Sequence, residues 1–213
     1  EMLWPDGING APQLRKEFER QPKQVKKARA YICGLGLYHF ELNGQKVGDE
    51  HLTPYLNAYD QWIQYQTYDI TDQLNAGSNL IAVMLGNGWY KGFLAWGDNK
   101  DIYGKKLGVF AQLEITYADG SLERVVSDGT WRYTPSPITS SDFMLGESYD
   151  ARKAIANWSL PDMDDSAWKA ATVRSEAQRL AVELELRTFN DLLHQPWLSG
   201  WVGWMEQHLS VSA

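Results

Sequence analysis

A period of two runs through this chain and limits what it can fold into. In YHFELNG, Tyr38, Phe40 and Leu42 fall on one side, while His39, Glu41 and Asn43 fall on the other. That is the pattern of a strand with one buried face. Asn43-Gly44 supplies the two left-handed residues of a tight hairpin and turns the chain into QKVG. VFAQLEITY alternates again, with Val109, Ala111, Leu113, Ile115 and Tyr117 on one side. Asp119-Gly120 turns it into LERVVS, and Asp128-Gly129 leads into TWRYTP. Leu80 to Leu85, LIAVML, is a continuous apolar run of strand length, which predicts a central strand covered on both faces. Short helical turns are expected at TDQLNAG, with Thr71 as cap and Gly77 as stop, and at DDSAWKAA. Many short strands, regular turn signals and no βαβ rhythm predict an all-β fold, an antiparallel jelly-roll-like β-sandwich.

The 213 residues suffice for one such domain with its own core and an appendage. The sandwich is expected over 1–175 and a tail over 176–213, where the character of the sequence changes. EAQRLAVELELRTFNDLLH places Val182, Leu186, Phe189 and Leu193 on one helical stripe, yet VELELR alternates equally well as a strand. Beyond Pro196, Trp197, Trp201 and Trp204 make an apolar ridge that would pack on the sandwich or pair two copies into a homo-oligomer. A net charge of −7 argues against a nucleic-acid partner, which needs a clustered basic face. No apolar run approaches the roughly 18 residues of a membrane-spanning helix, so no membrane partner is expected. No leader is legible, and a start at Glu1 fits a trimmed piece; a periplasmic or extracellular location is favoured over a cytoplasmic one. Cys33, the only cysteine, stands in the apolar stretch AYICGLGLY and reads as a buried, inert thiol.

The stretch Gly86 to Gly104, GNGWYKGFLAWGDNKDIYG, is too glycine-rich for a helix and too aromatic for an ordinary solvated loop. Sugars present C–H faces and a rim of hydroxyls, so a site for them wants an aromatic platform and a few oriented polar groups. Asn87, Trp89 and Tyr90 fit that need, and PSPITSSD offers Ser136, Ser140, Ser141 and Asp142 on a second loop. A competing reading has Trp89 and Tyr90 cap the open end of the sandwich, with Asn87 fixing a turn. Trp131, Trp158 and Trp168 read as core anchors. Glycoside hydrolysis needs two carboxyl groups facing each other across a sugar. The local candidates are Asp142, Glu147 and Asp150 in SDFMLGESYDAR; Glu147 and Asp150, three apart in extended chain, point to opposite faces, and Asp150 with Arg152 reads as an ion pair. No nucleophile elbow, phosphate loop or dinucleotide fingerprint is present, and the four histidines lack ligand spacing. No cofactor is required by any motif. Calcium is the one candidate ion, through a site built from loop carbonyls, because GDNKDIYG and PDMDDSAW both fail the EF-hand pattern.

Several of these stretches together resemble one family. ARAYICGLGLYHFELNGQKVGD, LTPYLNAY, YQTYDITDQLNAGSNLIAVMLGNGWYKG, VVSDGTWRYTPSPITSSDF and GESYDARKAI are similar, in order and spacing, to the N-terminal domain of bacterial α-L-rhamnosidases, in family 78 of the glycoside hydrolases. LGNGWY and GESYDAR are the specific pieces; the LNG and YDIT…NLIAV segments recur in many galactose-binding-type jelly rolls. The resemblance implies an accessory β-sandwich beside a large helical barrel that carries the hydrolytic site, an inverting cleavage of terminal L-rhamnose from glycans or glycosides. Related modules bind L-rhamnose, one of them through calcium, which implies that the two rim loops adjoin. The barrel has no counterpart in this chain, so the family's catalytic acids map onto no residue here. The segment after Gln178 departs from the family's usual continuation.

Overall fold

A computed structural model describes residues 1–94, 99–174 and 181–183, with Arg174 and 181–183 as backbone. The chain divides into two compact units, Glu1–Val182 and Glu183–Ala213. The expectations for Leu186, Phe189 and Leu193 as a helical stripe, and for Trp197, Trp201 and Trp204 as an apolar ridge, lie outside the described residues.

Most of the described strands form two antiparallel sheets. One runs β14 (Thr172–Arg174), β1 (Met2–Trp4), β8 (Gly108–Tyr117), β3 (Val25–Leu35), β6 (Ile63–Asp69) and β15 (Ala181–Glu183), with β9 (Leu122–Val126) also paired to β8. The other runs β13 (Lys169–Ala170), β10 (Arg132–Pro135), β2 (Pro12–Glu19), β7 (Ser78–Gly86), β4 (Leu37–Leu42) and β5 (Gln45–Lys46). A separate ribbon pairs β11 (Ile138–Asp142) with β12 (Gly146–Tyr149).

Alternation puts the core where the sequence indicates. Ala28, Ala30 and Ile32 of β3 stand opposite Ile115, Leu113 and Ala111 of β8. In the other sheet Val83 lies between Leu14 and Phe40, and Ile81 opposite Leu42. These inward rows meet in one apolar cluster, closed by the fully buried Trp131. Each such aliphatic side chain contributes roughly 1.5–3 kcal/mol of burial. Asn43 (φ 53°) and Gly44 (φ 78°) make the left-handed pair of the β4–β5 hairpin. β7 is central, between β2 and β4.

The outward faces are also covered, by different chemistry. On the β2 side, Arg15 is completely buried and donates to the carbonyls of Leu160 (2.9 Å) and Met163 (3.1 Å). Its guanidinium lies over the Trp168 ring at 5.9 Å, and Asp165 Oδ2 is 3.6 Å from Nε. Burial lowers the Arg15 pKa, while Asp165 and Glu17 act in the opposite sense. On the β3 side, a second cluster gathers Met2, Cys33, Leu35, Tyr59, Ile63 and Tyr90. Cys33 is buried, and desolvation pushes its thiol up to about 12.

Four local expectations change. TDQLNAG holds a single 3-10 turn, Thr71–Gln73, and Thr71 does not cap it. The Thr71 hydroxyl instead meets the Asp69 carboxylate (2.6 Å) and accepts from the Ala28 amide (2.9 Å), which ties the turn to β3. DDSAWKAA holds one turn, Trp168 N–H to Asp165 O (2.8 Å), and goes no further as helix: Asp164 accepts the Ser166 amide in a side-chain turn, and Lys169–Ala170 pairs with Tyr133 and Arg132. Sheet pairing outcompetes the local helical tendency there. Trp131 and Trp168 are core anchors, but Trp158 is only half-buried. GNGWY contains one α-turn despite its glycines, as described next.

Candidate functional site

The site begins where β7 runs out. After Gly86 the chain makes a one-turn helix, α1 (Gly88–Lys91), closed by Lys91 N–H to Asn87 O (3.2 Å) and Gly92 N–H to Gly88 O (3.1 Å). Gly88 makes the turn feasible: its φ is 51°, and a Cβ there would lie 2.6 Å from Leu37 Cγ. Glycine here enables a turn of helix rather than preventing one. Consecutive residues on that turn point in different directions, so the two aromatics separate. Tyr90 is buried edge-on to Tyr59 at 5.1 Å, and Tyr59 also packs on Tyr103 at 5.3 Å. Burial raises the Tyr90 pKa. Trp89 is half-buried and lies on Phe143, ring centroids 4.5 Å apart.

Phe143 belongs to the tip of the β11–β12 ribbon, so the two expected rim loops do adjoin. Asp142 is the joint. Its Oδ2 accepts from Phe93 N–H (2.9 Å), and its Oδ1 accepts from Met144 N–H (2.8 Å) and Leu145 N–H (3.0 Å). Gly92 permits the approach, since a Cβ there would meet Asp142 Oδ2 at 2.8 Å. At the ribbon's base, Ser136 is buried, and its Oγ accepts from Ile138 N–H (3.1 Å). Ala11 exchanges backbone bonds with Ile138 O (3.0 Å) and Ser136 N–H (3.1 Å).

The five expected contact residues therefore divide. Asn87 and Trp89 stand on the rim, both half-buried. Tyr90 and Ser136 face inward, and Asp142 holds the two loops together. Phe143, which the sequence reading left out, completes the aromatic pair; the apolar FML triple at a hairpin tip was its available signal. Beside the joint, a groove of about 230 Å³ lies against β4, where His39, Lys46, Glu50 and His51 supply polar edges and Gly86 and Ser141 reach it from the rim loops. The His39 Nε2 to Glu41 Oε1 contact at 2.8 Å holds the Glu41 carboxyl below its usual range, against a smaller opposing effect of burial.

The acids do not converge. Asp142 is committed to backbone amides. Asp150 makes a two-point ion pair with Arg152, Nε to Oδ1 at 2.8 Å and Nη2 to Oδ2 at 2.9 Å. This pair holds the Asp150 carboxyl low. Glu147 is exposed on β12. Among the described residues no group of three or more His, Cys, Asp or Glu could hold a metal ion.

A sequence profile described as the α-L-rhamnosidase N-terminal domain matches residues 23–188, past Gln178. The chain belongs to the α-L-rhamnosidase N-terminal domain family. An α-L-rhamnosidase of Streptomyces avermitilis is 44% identical over 163 residues, covering 76% of this chain and 16% of the relative. The crystal structure of the Streptomyces avermitilis α-L-rhamnosidase complexed with L-rhamnose superposes with a TM-score of 0.76 at 42% identity, over 79% of this chain and 16% of that one. A Pleurotus ostreatus lectin shares the fold alone, with a TM-score of 0.54 and 23% identity over 81% of this chain and 40% of that one. The chain spans only 16–20% of the length of the curated relatives it matches.

Proposed function

We propose that this chain is a non-catalytic accessory domain of an α-L-rhamnosidase that hydrolyses terminal L-rhamnose from glycans or glycosides. It supports the catalytic barrel and contacts carbohydrate at the rim where the Asn87–Phe93 loop meets the β11–β12 ribbon. The observation that carries this reading is the joint itself. A family domain with two of its three candidate acids, Asp142 and Asp150, tied up in structural bonds, and the third, Glu147, exposed on β12, presents a half-buried tryptophan beside an exposed phenylalanine. Such a surface suits the C–H face of a sugar and lacks an acid pair for bond cleavage. Asn87 and Trp89 make the contact, while Tyr90, Ser136 and Asp142 fix the geometry behind them.

The test is an L-rhamnose titration read by tryptophan fluorescence, with and without calcium, on the chain and on Trp89→Ala. Because the chain has 10 tryptophans, the variant assigns the signal. A saturable change that Trp89→Ala abolishes is expected; no response at tens of millimolar sugar, a weak range on the affinity scale, would remove the binding role. Calcium dependence of that change would reveal a carbonyl-built ion site. Nitrophenyl rhamnoside left intact by the chain alone is the outcome expected of an accessory domain. The second reading, a purely interdomain module without a ligand, is favoured by one observation, the bare apolar ribbon tip.

A further inference from the structure

That tip has chemistry of its own. Phe143, Met144 and Leu145 are 44%, 55% and 75% exposed, and Tyr149 is 58% exposed. Every residue of β12 is exposed, on both faces of the ribbon. A two-stranded ribbon alone is marginal in water, so something must hold it. Asp142 caps the tip by binding the Met144 and Leu145 amides, and Gly146 takes φ 80° to close the turn. The Thr139 hydroxyl donates to Ser148 O (3.2 Å), and the base is sewn to Ala11. The apolar triple is thus presented in a fixed shape, which lowers the ordering cost of binding.

We infer that the β11–β12 ribbon is a docking tongue by which this domain seats on the remainder of its own α-L-rhamnosidase polypeptide. The inference rests on the accessory-domain reading above and names the surface that serves it. In the curated relatives the matching segment is 16–20% of the chain, so there the domain has extensive neighbours in the same polypeptide. The ribbon's charge fits a protein seat better than an anionic membrane. Residues 136–149 contain Asp142 and Glu147 but no lysine or arginine. Met144, Leu145 and Gly146, which follow Phe143 at the tip, carry no side-chain amide or hydroxyl for a sugar, which separates the tip from the rim contact.

Amide hydrogen exchange on the 213-residue chain and on the full-length enzyme tests this. Amides of Asp142–Tyr149 are expected to exchange about ten-fold or more slowly in the enzyme, with the β7 amides alike in both. Equal exchange of the ribbon in the two would overturn the inference, as would protection in the short chain that rises with its concentration, the mark of a second copy. Leu145→Asp should lower the thermal midpoint of the full-length enzyme and leave that of the short chain unchanged; no shift in either would also overturn it. Rhamnoside hydrolysis by the full-length enzyme is assayed in parallel. Loss of that activity in the unaltered enzyme would count against the accessory-domain reading, whereas cleavage without ribbon protection would count against the tongue alone.

Discussion

β7 and β12 are both antiparallel strands, and they live in opposite surroundings. β7 is paired on both edges and buried from Asn79 to Val83, with core on one side and the Arg15-pinned segment on the other. β12 pairs on one edge only and is exposed at every position. Their composition foretells the contrast: LIAVML has no charge to solvate, while GESY has no apolar alternation to bury. The difference separates stability from recognition. Removing side chains around β7 should unfold the domain; removing them around β12 should leave the fold and alter what it binds.

The strongest way to break that contrast is Trp131→Ala. It empties the space of a fully buried ring and frees the Val126 carbonyl that Trp131 Nε1 reaches at 3.1 Å. A loss of about 3–5 kcal/mol is expected in denaturant unfolding, and a loss below about 1 kcal/mol would mean the sheets do not share a core. Asp142→Ala lies between the two regimes, because it strips the acceptor from three backbone amides at the joint. It should cost about 1–2 kcal/mol and shift the Trp89 emission as the Phe143 contact loosens. An unchanged spectrum would show that the ribbon is held without Asp142.

Glu41→Gln sharpens the comparison through pH. His39 depresses the folded-state pKa of Glu41, so its stabilisation is fully present above the unfolded value near 4.5 and is lost as pH falls through the lower folded value. The variant should be less stable by under about 1 kcal/mol at neutral pH, because the pair is partly solvated, and equal to the parent in acid. A difference that persisted in acid would point to packing rather than charge. Leu145→Ser, at the ribbon tip, should change the stability of this chain by no more than about 0.5 kcal/mol in thermal or denaturant unfolding.

Much of the framework was legible because one face of each strand had to be apolar. Tyr38, Phe40 and Leu42, and the five alternating residues of β8, are buried as their spacing required. Asn43-Gly44 made the hairpin its dihedral freedom allowed. The rim was less readable. Trp89 and Tyr90 are neighbours of similar chemistry, and their opposite fates depend on a single turn whose direction is set by Leu37 crowding Gly88. Ser136 looked like a surface hydroxyl and is a buried turn clasp. Arg15, in the polar-looking LRKEF, gave no hint of full burial, because its partners are carbonyls nearly 150 residues away in sequence.

The lone cysteine has a practical corollary. Cys33 is buried in the cluster of Tyr59 and Tyr90, and burial pushes its thiol up, so slow reaction with thiol-directed reagents is expected. A spin label or fluorophore attached through Leu145→Cys would therefore report from one known position without background. Its mobility or emission would report whether the ribbon tip is free or covered in solution.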